Sequence, residues 1–260
     1  MFKILKYSFY DLSRSRWSYV YFLFYLLLGF TLLFLNNDLS GAVITMMNVI
    51  IVLVPLIGTI FGVMYYYDSK EFTELLLAQP IKRKSIFLGQ YFGVAISLAA
   101  SLILGLGIPF VAYGLFQSGA IWDFVILLVT GVFLTFIFTA LAFNIALSNE
   151  NKIKGFGFAI LLWLFLAVIY DGIFLMALVH FQEYPLDKFA LIATMGNPID
   201  LSRILILLKL DISALLGYTG AVFKNFFGTS MGTILSLGML SLWVILPVWR
   251  ISAKAKKKDF

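Results

Sequence analysis

The chain reads as an all-α polytopic membrane protein, with six spanning helices behind an amphipathic N-terminal helix. Its 260 residues are 62% hydrophobic and only 12% charged, with a mean hydropathy of +1.00, whereas soluble domains carry roughly 45–50% apolar residues. The apolar residues fall in continuous runs long enough to cross a bilayer, not in the short alternating segments of a barrel. Lipid offers the backbone no hydrogen-bond partners, so runs of this kind must satisfy their amides internally, as helices.

Residues 1–16 carry Lys3, Lys6, Arg14 and Arg16 among Phe2, Ile4, Leu5, Phe9 and Leu12. Phe2, Leu5, Phe9 and Leu12 recur at helical spacing, which predicts an elbow helix lying on an anionic leaflet. A cleaved signal peptide is disfavoured. The apolar run begins only near Trp17, is nearly a full span long, and lacks a small-x-small cleavage pattern.

Six spans follow: Trp17–Leu35, Val43–Tyr66, Ile86–Phe116, Ile121–Leu147, Gly155–Phe181 and Met231–Ile251. The second contains Pro55. The third contains Pro109 after Gly105 and Gly107, where a bend is expected. Lys and Arg are retained on the cytoplasmic side, and the count by loop is one-sided. The N-terminus, the 68–85 loop, the 148–154 loop and the basic tail from Arg250 onward hold fifteen of the nineteen cations. The opposite side has Lys188, Arg203, Lys209 and Lys224, all in one long segment. Both termini are therefore expected in the cytoplasm, and the +6 net charge needs no nucleic acid to explain it.

The 68–85 loop is the longest charged interruption of the N-terminal half. It places acids first (Asp68, Glu71, Glu74), then Leu75, Leu76 and Leu77, then Gln79-Pro80, then Lys82, Arg83 and Lys84. A short helix from about Ser69 to Ala78 would put Phe72, Leu75 and Leu76 on one face, and Pro80 would end it. The result is an amphipathic peg at the membrane surface, suited to docking a soluble partner. A merely charged surface loop is the plainer reading.

On the other side, the segment 182–230 carries its own helix signals. Asn197 reads as an N-cap, Pro198 as the first helical residue and Asp200 as an acid in the first turn, followed by Leu201, Ile204, Leu205 and Leu208 on one face. Further short helices are expected at Ile212–Leu216, capped by Asp211, and at Thr219–Phe227. These pieces are expected to lie on the outer surface or dip into the membrane and to offer a platform to a partner. Asn197, Pro198, Asp200, Arg203, Lys209, Lys224 and Phe227 are its candidate docking residues.

Chemistry within the spans is sparse. Asp171 sits near the middle of span five, where an ionisable group is costly and marks either function or a helix-packing carboxyl. Asn48 and Asn144 are explained by interhelical hydrogen bonds. Met46, Met47, Met176, Met195 and the single His180 fall toward the outer side and would suit Cu(I), but they are scattered, and packing explains them better. The chain has no Cys, no metal-ligand spacing and no nucleophile-base pair, so no catalytic or metal residues are assigned. Tyr65, Tyr66 and Tyr67 read as interfacial anchors.

One pattern carries a family resemblance: Glu71, Leu75, Leu76, Leu77, Pro80, Ile81, Arg83, Ile86, Leu88, Gly89 and Gly93, in the arrangement ExxxLLLxxPIxRxxIxLGxxxG. It resembles the segment between spans two and three of ABC-2-type transporter permeases, and the elbow, the six spans and the long outer loop match as well. The resemblance implies the type V, ABCG-like exporter fold. It also implies a homodimer, and a coupling helix (Glu71, Phe72, Glu74, Leu75, Leu76, Pro80, Arg83) docked on a cytoplasmic ABC ATPase. The text from Asn197 to Gly228 is similar to the branch of the family that serves copper-centre assembly in nitrous oxide reductase. That likeness implies a NosF-like ATPase, a NosD-like periplasmic repeat protein and, as a further candidate, a copper chaperone. Gln90 departs from a common Lys, a change expected to alter only local charge.

No G-x-x-x-x-G-K-[ST] phosphate loop occurs, so no cofactor is expected in this chain, and ATP and Mg would belong to the partner ATPase. Three roles are compatible with these residues: a mechanical transmitter to a periplasmic partner, a general ABC-2 exporter of a small molecule, lipid or polysaccharide, and a passive membrane anchor.

Overall fold

The computed structural model describes residues 1–36, 39–181, 186–209, 223, 226 and 229–257. The elements are α1 (Phe2–Arg14), α2 (Arg16–Asn36), α3 (Leu39–Asp68), α4 (Lys70–Leu77), α5 (Arg83–Ala112), α6 (Ile121–Ser148), α7 (Lys152–Leu164), α8 (Tyr170–His180), α9 (Asp187–Met195), α10 (Pro198–Lys209) and α11 (Ser230–Lys257). Among the described residues, six helical stretches are long and apolar enough to span a membrane: α2, α3, α5, α6, α7 with α8, and α11. The all-α, six-span expectation is borne out. The helices expected at Ile212–Leu216 and Thr219–Phe227 lie outside the described residues, apart from Phe223 and Phe226.

The bundle is layered by burial. In α5 and α6, 56% of the most apolar window is buried within the chain, whereas in span five the figure is 11%. Spans three and four therefore form the core with α3, and span five presents most of its surface to lipid or to another chain. Small residues allow the tight crossings. A Cβ on Gly105 would stand 2.8 Å from the Cβ of Tyr25, and one on Gly29 would stand 2.9 Å from the ring of Pro109. Packing of α2 on α5 thus depends on glycines at both crossing points.

Contacts sort the loops to two ends. Asp68 pairs with Lys152 at 2.7 Å, and the Tyr67 hydroxyl donates to the Asn149 carbonyl at 2.7 Å. Lys254 donates to the Asn144 carbonyl at 2.9 Å and to the Ser148 hydroxyl. These bonds bring the end of α3, the 149–152 turn and the end of α11 together, at the basic end of the bundle. Tyr65 and Tyr66 are buried in the core there, so of the three tyrosines expected as interfacial anchors, two are packing residues.

The structure refines four readings. The elbow helix buries Ile4, Ser8 and Leu12 and leaves Phe2 80% exposed, because α5 receives it through glycines. Span three ends at Ala112 and not at Phe116. Pro109 lies in the last turn of an unbroken helix, and Gly114, at φ 81°, ends the run in the left-handed region that glycine tolerates. Span five is interrupted by a π-helical turn over Phe165–Ile169. Finally, α9 and α10 meet at 114° and fold back into the bundle as a re-entrant pair, so of the two placements expected for this segment it adopts the second.

Candidate functional site

Two constellations stand out. The first surrounds α4 at the basic end. Its helix forms where the sequence places it, but its orientation differs from expectation. Leu75, expected on one face with Phe72 and Leu76, is 68% exposed, and the buried residue of the helix is Thr73. The Phe72 ring stacks on Tyr7 of the elbow helix, with centroids 4.6 Å apart. Phe72 therefore anchors α4 within the chain.

Gln90 completes the anchor. Its Nε2 donates to Thr73 Oγ1 at 2.7 Å and to Ser69 Oγ at 3.3 Å, and the Thr73 hydroxyl donates in turn to the Ser69 carbonyl at 2.8 Å. A fully buried amide between α5 and α4 is far more than a change of local charge, and that expectation is corrected. A polar residue between Gly89 and Gly93 in an apolar run is the signal that pointed to it. One turn apart, Gly89 and Gly93 seat the elbow: a Cβ at Gly93 would stand 2.5 Å from Ser8 Cβ and 2.9 Å from the Leu5 carbonyl.

With its inner face pinned to α1 and α5, α4 presents Glu71, Glu74, Leu75 and, just beyond, Pro80 to solvent. Arg83, also exposed, opens α5 immediately after. Lys70 and Glu74 lie 3.9 Å apart, an exposed pair worth only about 0.3–0.5 kcal/mol. Replacing Gln90 by Leu is expected to cost about 1 kcal/mol of stability, while trypsin cleavage between Lys70 and Lys84 rises several-fold. Unchanged cleavage would show that the amide does not hold α4.

The second constellation lies at mid-bundle, where the re-entrant tip meets span five. Asn197 caps α10 as its sequence predicts: its Oδ1 accepts from the Ile199 amide at 3.1 Å. Its Nδ2 donates at 2.8 Å both to Asp200 Oδ2 and to the Leu166 carbonyl. Leu166 lies in the π turn. Arg203 Nη1 then bridges Asp171 Oδ2 at 3.0 Å and Asp200 Oδ1 at 3.6 Å. The longer contact is electrostatic only, since Asp200 Oδ1 accepts no hydrogen bond. The Tyr170 hydroxyl donates to the Ala193 carbonyl at 2.7 Å, and Trp243 Nε1 donates to the Met195 carbonyl at 3.1 Å. Gly196 at the tip lies against the Tyr170 hydroxyl, where a Cβ would stand 2.9 Å away.

These contacts place the other predicted site residues. Asp171 is an ion-pair partner within the membrane. Asn197, Pro198 and Asp200 are buried, so they do not form an outer docking surface; the buried carbonyl of Leu166 and the charge of Arg203 hold them inside. The Lys209 side chain, Lys224 and Phe227 lie outside the described residues. Asn144 makes the expected interhelical bond, from Nδ2 to the Pro247 carbonyl at 2.8 Å. Asn48, expected between helices, is exposed on the surface of α3. Met46 and Met47 are core residues, while Met176 and His180 point away from the core. Among the described residues no group of three or more His, Cys, Asp or Glu side chains could hold a metal ion. Sequence reasoning missed Tyr7, Thr73, Tyr170 and Trp243, whose partners lie far along the chain or at backbone carbonyls.

The chain resembles known proteins along nearly its whole length. It is 26% identical over 261 residues to "Probable ABC transporter permease protein NosY" of Stutzerimonas stutzeri, covering 92% of this chain and 89% of that relative. It is 24% identical over 269 residues to the protein of the same name from Pseudomonas aeruginosa, covering 94% and 91%. The family model described as "ABC-2 family transporter protein" matches residues 9–210. That range takes in the second half of the elbow, the pinned α4, five spans and the re-entrant pair. With six spans and no phosphate loop of its own, the chain belongs to the ABC-2 transporter family as the membrane permease subunit of an ABC transporter.

Proposed function

We propose that this permease receives ATP-driven motion through α4 and passes it across the bacterial inner membrane to a periplasmic partner in copper-site assembly of nitrous oxide reductase. The observation that carries the first half is the posture of α4. One face is bonded to α1 and α5 through Phe72–Tyr7 and Thr73–Gln90, and the other is acidic and open. A force on the open face reaches two core elements without slack. Glu71 and Glu74 would pair with cations of a NosF-like ATPase, and Leu75 would enter a groove on it. In this reading the basic end is cytoplasmic, following the retention of cations there, and the chain works as a homodimer carrying two ATPase copies. The second half rests on the similarity to proteins named NosY, which suggests a NosD-like repeat protein as the outer partner.

A second reading, a general ABC-2 exporter, is favoured by the burial of α10. A platform for an outer protein would have to be built from residues beyond Lys209.

The test is charge reversal at Glu71 and Glu74 together. The double variant is expected to lower permease-stimulated ATP hydrolysis at least tenfold, with thermal stability within a degree or two of the parent. Full stimulation would overturn the docking role. Partners recovered with the parent chain then separate the two readings: an ATPase with a periplasmic repeat protein for the first, an ATPase alone for the second.

A further inference from the structure

Between α6, the re-entrant tip and α11 lies a cleft of about 660 Å³, with Leu141, Asn144, Met195, Trp243, Leu246 and Arg250 among its lining. Its walls are almost wholly apolar, with polar groups gathered at one end. Asn144 is buried there at 6% exposure. Its Nδ2 donates to two carbonyls, Ala140 at 2.9 Å and Pro247 at 2.8 Å, which identifies that atom as the nitrogen. Its Oδ1 is enclosed by protein, so the amide belongs to the wall and ties α6 to α11.

The charge at that end defines the occupant. Arg250 is exposed, lines the same cleft and lies three residues beyond Pro247, whose carbonyl Asn144 holds. Lys254, a turn further on, binds the Asn144 carbonyl, so this mouth opens at the basic end of the bundle. Trp249, 70% exposed, has the setting of an interfacial anchor. An apolar slot in a membrane protein that opens laterally is filled by an acyl chain, and a cation at its rim selects a negative headgroup.

We infer that the cleft holds one anionic glycerophospholipid. Its phosphate pairs with Arg250, and one acyl chain runs along Leu246 and Trp243 toward Met195. The lipid thus bridges span four, span six and the tip of the re-entrant pair.

The full chain, reconstituted in nanodiscs of equal parts phosphatidylglycerol and phosphatidylcholine, is released into mild detergent. Its retained phospholipid is then counted by native mass spectrometry. The expected result is one phosphatidylglycerol per chain, with phosphatidylcholine at least tenfold less. Arg250→Ala removes the cation, and Leu246→Trp fills the slot from a wall residue that is 60% exposed; each is expected to reduce retained phosphatidylglycerol at least tenfold. Equal retention of the two lipids, or retention unchanged in both variants, overturns the assignment. The chain has no cysteine, so Leu242→Cys reports by itself. Its efficient cross-linking to a second copy in membranes would show that another chain covers the cleft, and would also overturn the proposal.

Discussion

Replacing Arg203 by Ala is expected to lower the stability of the chain by about 3–5 kcal/mol, because it strands carboxylates in the membrane interior. Arg203 Nη1 is the shared partner of Asp171, 3.0 Å away on span five, and Asp200, 3.6 Å away on its own helix. Without it, Asp200 keeps one bond from Asn197, and Asp171 has no cation in reach among the described residues. The neutral pair Asp171→Asn with Arg203→Gln should recover most of the loss, since it removes the charges together and leaves a hydrogen bond possible. Arg203→Lys should recover only part, as a compact ammonium on a shorter reach serves two carboxylates poorly. Thermal unfolding of the four proteins in one detergent decides this. An Arg203→Ala protein as stable as the parent would mean that the cluster does not hold the re-entrant pair to span five.

Gly93→Leu is expected to displace the elbow helix, at a cost of 3 kcal/mol or somewhat more, the upper end of overpacking losses that are typically about 1–3 kcal/mol. The first added carbon would already stand 2.5 Å from Ser8 Cβ, 2.9 Å from the Leu5 carbonyl and 3.0 Å from the Phe9 amide nitrogen. Two of these are backbone atoms, so no rotamer change relieves the crowding. Gly93→Ala should fall within the typical range, and Ser8→Gly combined with it should restore part of the loss by removing the nearest contact. Gly107→Ala is the control on the same helix, because nothing lies within 4 Å of its added carbon. Equal melting temperatures for the Gly93 and Gly107 variants would sink the claim that α1 sits on Gly93. Since α1 carries Tyr7, on which Phe72 stacks, displacing the elbow should also loosen α4 and weaken any stimulation of a partner ATPase.

The two constellations differ in how far they could be read in advance. The α4 helix was legible because its ends are written locally, in Ser69 and in Gln79-Pro80, and its acids stand in a row. Which face turns inward was not legible. Periodicity favoured Phe72, Leu75 and Leu76, but Gln90 on another helix draws Thr73 inward and leaves Leu75 out. The Asn197-Pro198-Asp200 start of α10 was legible for the same local reason, and the Asn197 cap bond forms as written. That the same Asn197 amide would reach the Leu166 carbonyl could not be seen, because it depends on a π turn for which Phe165–Ile169 carries no distinguishing residue.

What the sequence by itself determined is the class of the protein: helices, six spans, an elbow, the cationic and the sparsely charged ends, and where α4 and α10 begin. These follow from hydropathy, charge and capping, which act over a few neighbouring residues and need no knowledge of the fold. Only the tertiary structure decided that the outer segment re-enters the bundle, that Asp171 is paired with Arg203, and that Gln90 is a tie between helices. Each of these depends on residues brought together from separate helices. In an apolar bundle every helix face is hydrophobic, so hydropathy cannot choose between lipid and protein as its neighbour. The few polar groups and glycines make that choice, and they do so only once the helices are side by side.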